Sequence, residues 1–237
     1  MEHRELTLQP RLQMLAGLVP RGCVVADIGT DHGYLPVWLL QQGRIPRGIA
    51  SDINERPLNH ARDTAAEYGV TEHIEFRLCA GLEGYRPGEA DVIVIAGMGG
   101  ETIAAILDAA PWTISSGQLL LLQPMTKAEF LRKWICDKGY TFTEEHLVLD
   151  KDFLYPIFCV MGGTPKKLTD EEAYAGLLLD EDPLYDVYLS QQMKRIRIRI
   201  DGLIRSENEA AAKEIRRLED LYNGLAARKE KLHDHCT

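Results

Sequence analysis

Long apolar runs are missing from the chain. No stretch of its 237 residues approaches the roughly 18 uninterrupted apolar residues that a membrane-spanning helix needs. An apolar leader is missing too. The start, MEHRELTLQPRLQ, is charged, so no secretory signal and a cytoplasmic location are expected. Cysteine is scarce and scattered. Cys23, Cys79, Cys136, Cys159 and Cys236 form no CxxC pair, which argues for reduced thiols and against a disulfide framework or a zinc site; no metal is expected. Positive charge is in deficit, with 27 Lys and Arg against 36 Asp and Glu and a formal net charge of −9. That balance excludes a surface that grips nucleic acid all over, though not a local basic face. What is present is ordinary apolar content, 45%, enough for a sizeable core in one domain with an appendage or in two small domains.

The chain then shows a rhythm. The stretch VVADIGTDHGYLPVWLL, Val24 to Leu40, reads as a buried strand, a tight loop and a helix start. A helix with Met14, Leu15, Leu18 and Val19 on one stripe precedes it. Gly48 to Ile53 is a second strand that ends on an acid, and a helix opened by Pro57 runs to about Tyr68. His73 to Leu78 is a third strand. Asp91 to Ala96 is a fourth, expected to stop at Gly97-Met98-Gly99-Gly100, with a helix carrying Ile103, Ile106 and Leu107 behind it. Gln118 to Leu122 is a fifth, expected to be closed by Gln123-Pro124, and a helix around Phe130, Leu131 and Trp134 follows. Then two strands come in succession, Tyr140 to Leu149 and Phe153 to Met161, which reads as a hairpin. Five βα units with a terminal hairpin predict an α/β sheet, mostly parallel, with one reversed strand.

Gly162-Gly163-Thr164-Pro165 breaks the pattern, and helical sequence follows. Leu189, Met193, Ile196, Ile200 and Leu203 are spaced 4-3-4-3. Ser206 to Glu209 forms a capping box for a new helix. Ala211, Ile215, Leu218, Tyr222, Leu225 and Leu232 continue the seam, with Lys229 breaking it. Two helices folded back as an antiparallel coiled-coil hairpin bury both seams within a monomer. One long helix pairing with a second subunit is the alternative.

The opening loop is defined by what it lacks. Its frame is Asp27-x-Gly29-x-x-x-Gly33 rather than GxGxxG. Thr30, Asp31 and His32 fill the gap, and Asp31 repels a pyrophosphate at close range. An acid-lined loop suits a ligand with a cationic centre. S-adenosylmethionine offers a sulfonium, an ammonium for carboxylates and a carboxylate for loop amides. Asp52 falls 25 residues after Asp27, where an acid accepts ribose hydroxyls. Ile53 beside it is expected against the adenine face. A helix cap before Pro57 is the simpler role for Asp52. Gly97, Met98, Gly99 and Gly100 leave an open floor beside a methyl donor. His32 suits a structural hydrogen bond as well as catalysis.

Four stretches together, DIGTDHGYLP, IAGMGGETI, LLLQP with its LRKW helix, and EEHLVLDKDFLYPI, resemble the bacterial tRNA (adenine-N1)-methyltransferase family acting at adenosine 22. The similarity covers about the first 160 residues in order and spacing. It implies a Rossmann-like class I methyltransferase domain at 1–163 and a C-terminal coiled-coil domain at 164–237 that contacts tRNA. It implies S-adenosylmethionine as cofactor, at Asp27, Gly29, Thr30, Gly33, Asp52, Ile53, Ala80, Gly81, Gly97, Met98 and Gly99. Two positions depart from the family pattern. Cys79-Ala80-Gly81-Leu82 stands where the family carries Gly-Asp/Asn-Gly-Leu, and Gln123-Pro124-Met125 where it carries Gln-Pro-Asn.

Adenine N1 has a free lone pair, so methyl transfer needs alignment and desolvation more than a strong base. Asp31 and His32 are the expected catalytic pair, with Asp31 accepting from the adenine amino group. Between Met193 and Arg217 eight basic residues face four acids, while Asp170 to Asp186 holds seven acids and no Lys or Arg. Arg195 and Arg199, four apart, share a helix face. They are expected to grasp tRNA together with Lys194, and Arg11 to do so from the rim. The competing readings are a methyltransferase for a small molecule or protein, and a non-catalytic nucleotide- or RNA-binding adaptor.

Overall fold

The computed structural model describes residues 6–205 and 209–234. Its elements are α1 (Pro10–Leu18), β1 (Val24–Ile28), α2 (Tyr34–Gln41), β2 (Arg47–Asp52), α3 (Glu55–Glu67), β3 (Ile74–Leu78), β4 (Val92–Gly99), α4 (Gly100–Asp108), β5 (Leu119–Thr126), α5 (Ala128–Lys138), β6 (Tyr140–Asp150), β7 (Phe153–Gly162), α6 (Asp170–Ala175), α7 (Tyr185–Leu203) and α8 (Glu209–Asp234).

The seven strands form one sheet in the order β3-β2-β1-β4-β5-β7-β6. β1 to β5 are parallel, and β7 runs antiparallel to both β5 and β6. The central strands are continuous apolar runs because both faces are covered. Val25, Val92, Val94 and Leu121 pack on the side of α1 and α2, while Ala26, Ile93, Ile95, Leu120 and Leu122 pack on the side of α4 and α5. Burying each of the larger side chains contributes roughly 1.5–3 kcal/mol. The strand order reverses between β1 and β4, so the carboxyl ends of these two strands splay and leave a crevice.

Two strands run further than the sequence implied. β4 does not stop at Gly97 but continues through Gly99, with irregular register at Met98 and Gly99. β5 does not close at Gln123-Pro124 but runs on to Thr126. Pro124 is tolerated because β7 pairs with β5 only at Leu120, Leu121 and Leu122, so the proline falls where β5 has one strand neighbour.

Helices α7 and α8 lie antiparallel, as the cross-pairs Arg199–Glu214 and Lys229–Asp186 require. Leu189, Ile196, Ile200, Leu218 and Leu225 form their shared core, with Tyr185, Tyr188 and Leu221 added. Lys229 is not a flaw in that seam. Its ammonium meets Asp186 at 3.2 Å and also Ser190 on α7. The acid-rich stretch has similar work: Asp170 pairs with Lys133 and Arg217, and Asp180 with Arg228. The capping box expected at Ser206 to Glu209 lies outside the described residues apart from Glu209.

The helices are tied to the sheet by one buried arginine. Arg132 on α5 is fully buried; its Nε donates to Glu145 on β6 at 2.7 Å, and its Nη1 donates to the Ala173 carbonyl at 2.8 Å and to the Tyr188 hydroxyl at 3.0 Å. The second oxygen of Glu145 accepts from the backbone amides of Leu177 and Leu178. Leu147 and Leu154 of the β6–β7 hairpin belong to the same apolar cluster as α7 and α8.

Candidate active site

The loop after β1 is shaped by its glycines. Gly29 and Gly33 have φ of +71° and +68°. A Cβ on Gly29 would stand 2.2 Å from the Met98 methyl, and one on Gly33 would stand 2.9 Å from the Ala61 Cβ. Asp31 also takes a left-handed conformation, φ +51°, which Asp tolerates better than most residues. The loop amides are not all available to a ligand. Gly29 and Thr30 donate to the Ser51 carbonyl at 2.8 and 2.9 Å, and Gly33 donates to the Thr30 carbonyl at 2.9 Å. The expectation that the loop amides receive a ligand carboxylate is corrected for these three. Pairing to the neighbouring strand end consumes the first two, and a turn within the loop consumes the third.

Asp27 is buried and accepts from the Thr30 hydroxyl at 2.6 Å. Burial pushes its carboxyl up to about 6; the Thr30 hydrogen bond opposes the rise and the charge of Asp52 adds to it. At pH 7 such a carboxyl is mostly ionised, a poorly solvated buried charge that a bound cation would stabilise. Asp52 lies half-buried at the end of β2, and its Oδ1 accepts from the Asn54 amide at 2.8 Å, at the start of α3. The N-cap of α3 is Asn54, with no side-chain cap, so the helix-cap role for Asp52 is corrected: its carboxylate braces the turn before the helix and lines a cavity.

Two cavities meet at this loop. The larger, about 640 Å³, is lined by Gly29, Asp31, Asp52, Ile53, Ala80, Gly81, Gly97 and Met98 among others. The smaller, about 440 Å³, is lined by Asp27, Thr30, His32, Arg11 and Tyr34, and shares Gly29, Asp31, Ala96 and Gly97 with the first. Gly33 and Gly99 line neither; Gly33 packs on Ala61, and Gly99 faces the Thr126 hydroxyl. The departure at Ala80 leaves an apolar wall, with Ile106 packed against Gly81. His32 is stacked between Tyr34 and His60, ring centroids 5.2 and 4.9 Å away, and its Nε2 lies 3.8 Å from Asp31.

Gln123, a strand end by its sequence context, joins the site from below. It is fully buried. Its Oε1 accepts from the Gly97 amide at 3.2 Å and from Arg11 Nη1 at 3.0 Å. Arg11, placed on the rim by sequence reasoning, is corrected. It is half-buried, its Nε meets Asp150 at 2.6 Å, and its Nη1 also donates to the Met125 sulfur at 3.2 Å. Met125 therefore accepts a hydrogen bond that an amide oxygen would also accept. His60 and Gln123 carried no local sequence signal because each acts across elements. Tyr34, in the DHGYLP stretch, stacks on His32 and lines the second cavity.

The basic residues of α7 are exposed. Arg195 and Arg199 line one shallow cavity with Met125, Thr126 and Lys127 at the carboxyl end of β5, so the helix face they share borders the catalytic side of the sheet. Arg199 is engaged by Glu214 at 2.7 Å, whereas Arg195 and Lys194 have no ion-pair partner among the described residues.

A doubly wound sheet with acids at the ends of β1 and β2 around a glycine-bounded loop defines an enzyme of the Rossmann-like nucleotide-binding class. Residues 8–158 match the family described as "Methyltransferase domain". The chain is 33% identical over 192 residues, 81% of its length and 79% of the relative's, to the tRNA (adenine(22)-N(1))-methyltransferase of Bacillus subtilis. The crystal structure of the B. subtilis m1A22 tRNA methyltransferase TrmK superposes with a TM-score of 0.84 at 28% identity, over 94% of this chain and 99% of that one. Sp1610 of Streptococcus pneumoniae, solved in complex with S-adenosyl-L-methionine, superposes with a TM-score of 0.76 at 28% identity, over 90% and 98%. The chain belongs to the tRNA (adenine(22)-N1)-methyltransferase family. No helix among the described residues is long and apolar enough to cross a membrane.

Proposed function

We propose that the protein transfers a methyl group from S-adenosylmethionine to N1 of an adenosine in tRNA, at position 22. The observation that carries this reading is the pair of cavities that meet at Gly29, Asp31, Ala96 and Gly97. The larger one suits the adenosine half of the cofactor, with Asp52 accepting the ribose hydroxyls and Ile53 lying along the purine. Asp27, raised by burial to about 6, fits a site completed by a positive charge. Bound S-adenosylmethionine supplies an electrophilic methyl group. The protein's own groups do the rest. Gly29 and Gly97 keep the passage between the cavities clear of side chains. Asp31, exposed beside both cavities, accepts from the adenine amino group and stabilises the positive charge that methylation puts on the ring. His32, locked by Tyr34 and His60, walls the second cavity where the base enters after leaving its stack.

Residues 1–163 form the methyltransferase domain in this reading, and 164–237 the helical tRNA-contacting domain. Arg195 and Arg199, with Lys194, hold the RNA backbone. The protein acts as a cytoplasmic monomer, since α7 and α8 bury their seam on each other. Labelled S-adenosylmethionine with total bacterial tRNA tests the reading, with the modified base identified by mass spectrometry. 1-Methyladenosine that disappears when A22 is replaced is the expected result; label elsewhere or nowhere refutes it. Asp31→Ala should lower turnover far more than cofactor affinity. An equal loss in both would confine Asp31 to cofactor binding.

A further inference from the structure

The tip of the β6–β7 hairpin stands at the carboxyl end of β5, beside the second cavity, and the mechanism above leaves it unused. The turn is polar, Asp150-Lys151-Asp152, but the next residue is not. Phe153 opens β7 with 57% of its surface exposed. Its ring lies 6.3 Å from that of Tyr155, tilted by 43°. The Arg11 guanidinium sits 5.2 Å above the Tyr155 ring and is fixed there by Asp150, which faces Phe153 across the hairpin. Arg11 in turn lines the second cavity. A line of planar groups therefore runs from the cavity to the tip. Lys151, exposed at the turn with φ +56°, adds a cation there.

We propose that Phe153 is a stacking platform for an unpaired nucleobase of the tRNA, close to the adenosine being methylated, with Lys151 meeting a neighbouring phosphate. This rests on the reading of tRNA as substrate and names a contact within it. Pulling a base out of its stack uncovers the face of its neighbour, and an exposed aromatic ring is the sequence-tolerant way to cover it. The continuity through Tyr155 and Arg11 to the cavity favours RNA over a protein partner on this surface.

The test uses the full chain and three variants, Phe153→Ala, Phe153→Leu and Phe153→Tyr, with tRNA affinity measured by fluorescence anisotropy and cofactor affinity by calorimetry. Loss of one stacked base should weaken tRNA binding roughly tenfold in Phe153→Ala. Phe153→Leu should resemble Phe153→Ala, because it keeps apolar bulk and loses the ring, and Phe153→Tyr should resemble the wild type. Cofactor affinity and melting temperature should not move, since the ring is exposed. Unchanged tRNA affinity in Phe153→Ala overturns the proposal, as does wild-type affinity in Phe153→Leu. A change in oligomeric mass by light scattering with tRNA binding intact overturns it too, by making the tip a self-association contact. Failure of the substrate reading is separately visible: the wild type would then leave tRNA unmethylated.

Discussion

Replacing Arg132 by Met should unfasten the helices from the sheet. Arg132 and Glu145 are both fully buried, so neither charge is screened by water. Removing one partner of such a pair costs about 3–5 kcal/mol, because the other charge stays buried. Here the lower end applies: Glu145 keeps the amides of Leu177 and Leu178. The Tyr188 hydroxyl and the Ala173 carbonyl lose their donor, and Met fills most of the apolar stem's volume. A loss of about 3 kcal/mol corresponds to a fall in melting temperature of about 10 °C for a chain of this size. Urea unfolding followed by circular dichroism measures it. The double variant Arg132→Met/Glu145→Leu leaves no unpaired charge and should recover part of the loss, with a coupling of about 2 kcal/mol. A single-variant loss below about 1 kcal/mol, or strict additivity in the double variant, would refute the claim that this pair joins the two parts.

Other consequences are open to measurement. Asp27 is raised in the fold from 3.8 to about 6, so its contribution to stability is complete below pH 4 and disappears as pH rises through 6, a swing of about 3 kcal/mol. The stability gap between wild type and Asp27→Asn should change by most of that amount, about 2.4 kcal/mol, between pH 4 and pH 7 in urea titrations, in favour of the Asn variant at the higher pH; a constant gap would contradict the assignment. S-adenosylmethionine affinity should rise as pH passes upward through 6 in the wild type and stay flat in the variant. Gly29→Ala places a side chain at φ +71° and against the Met98 methyl, a strain of roughly 1–2 kcal/mol, and calorimetry should show a cofactor Kd about tenfold weaker in a folded protein. Arg195→Glu with Arg199→Glu should weaken tRNA binding while sparing the cofactor, and filter binding with unchanged tRNA retention would exclude this helix face.

The sheet was legible because its strands are buried on both faces and read as apolar runs closed by glycine or acid. Val92 to Ile95 and Leu120 to Leu122 leave little choice of structure. The strand ends were harder. Pro124 and Gly97 look like terminators, yet β4 and β5 continue past them as a two-stranded extension, because each partner's irregularity accommodates the other. Asp27, Gly29, Asp31 and Asp52 were visible as types at fixed spacing. Which amides the loop spends on itself was not visible, since that depends on Ser51 from the neighbouring strand. Arg11 shows the same limit. An arginine near a site looks like a free cation until Asp150, 139 residues away, claims it.

The ion pairs of the helical region bear on how the protein should respond to salt. Asp170, Asp180, Asp186 and Glu214 neutralise Lys133, Arg217, Arg228 and Lys229 within the molecule, so much of the formal charge never faces the solvent as a field of one sign. Under the proposed function, the counterions released on RNA binding are then set by the unpaired Lys194 and Arg195, by Arg199 once it exchanges Glu214 for a phosphate, and by Lys151, rather than by the net charge of −9. Four phosphate contacts give a slope of log K against log salt of roughly −3 to −4. RNA held in the proposed way leaves only gradually as ionic strength rises, and selectivity then rests mostly on shape.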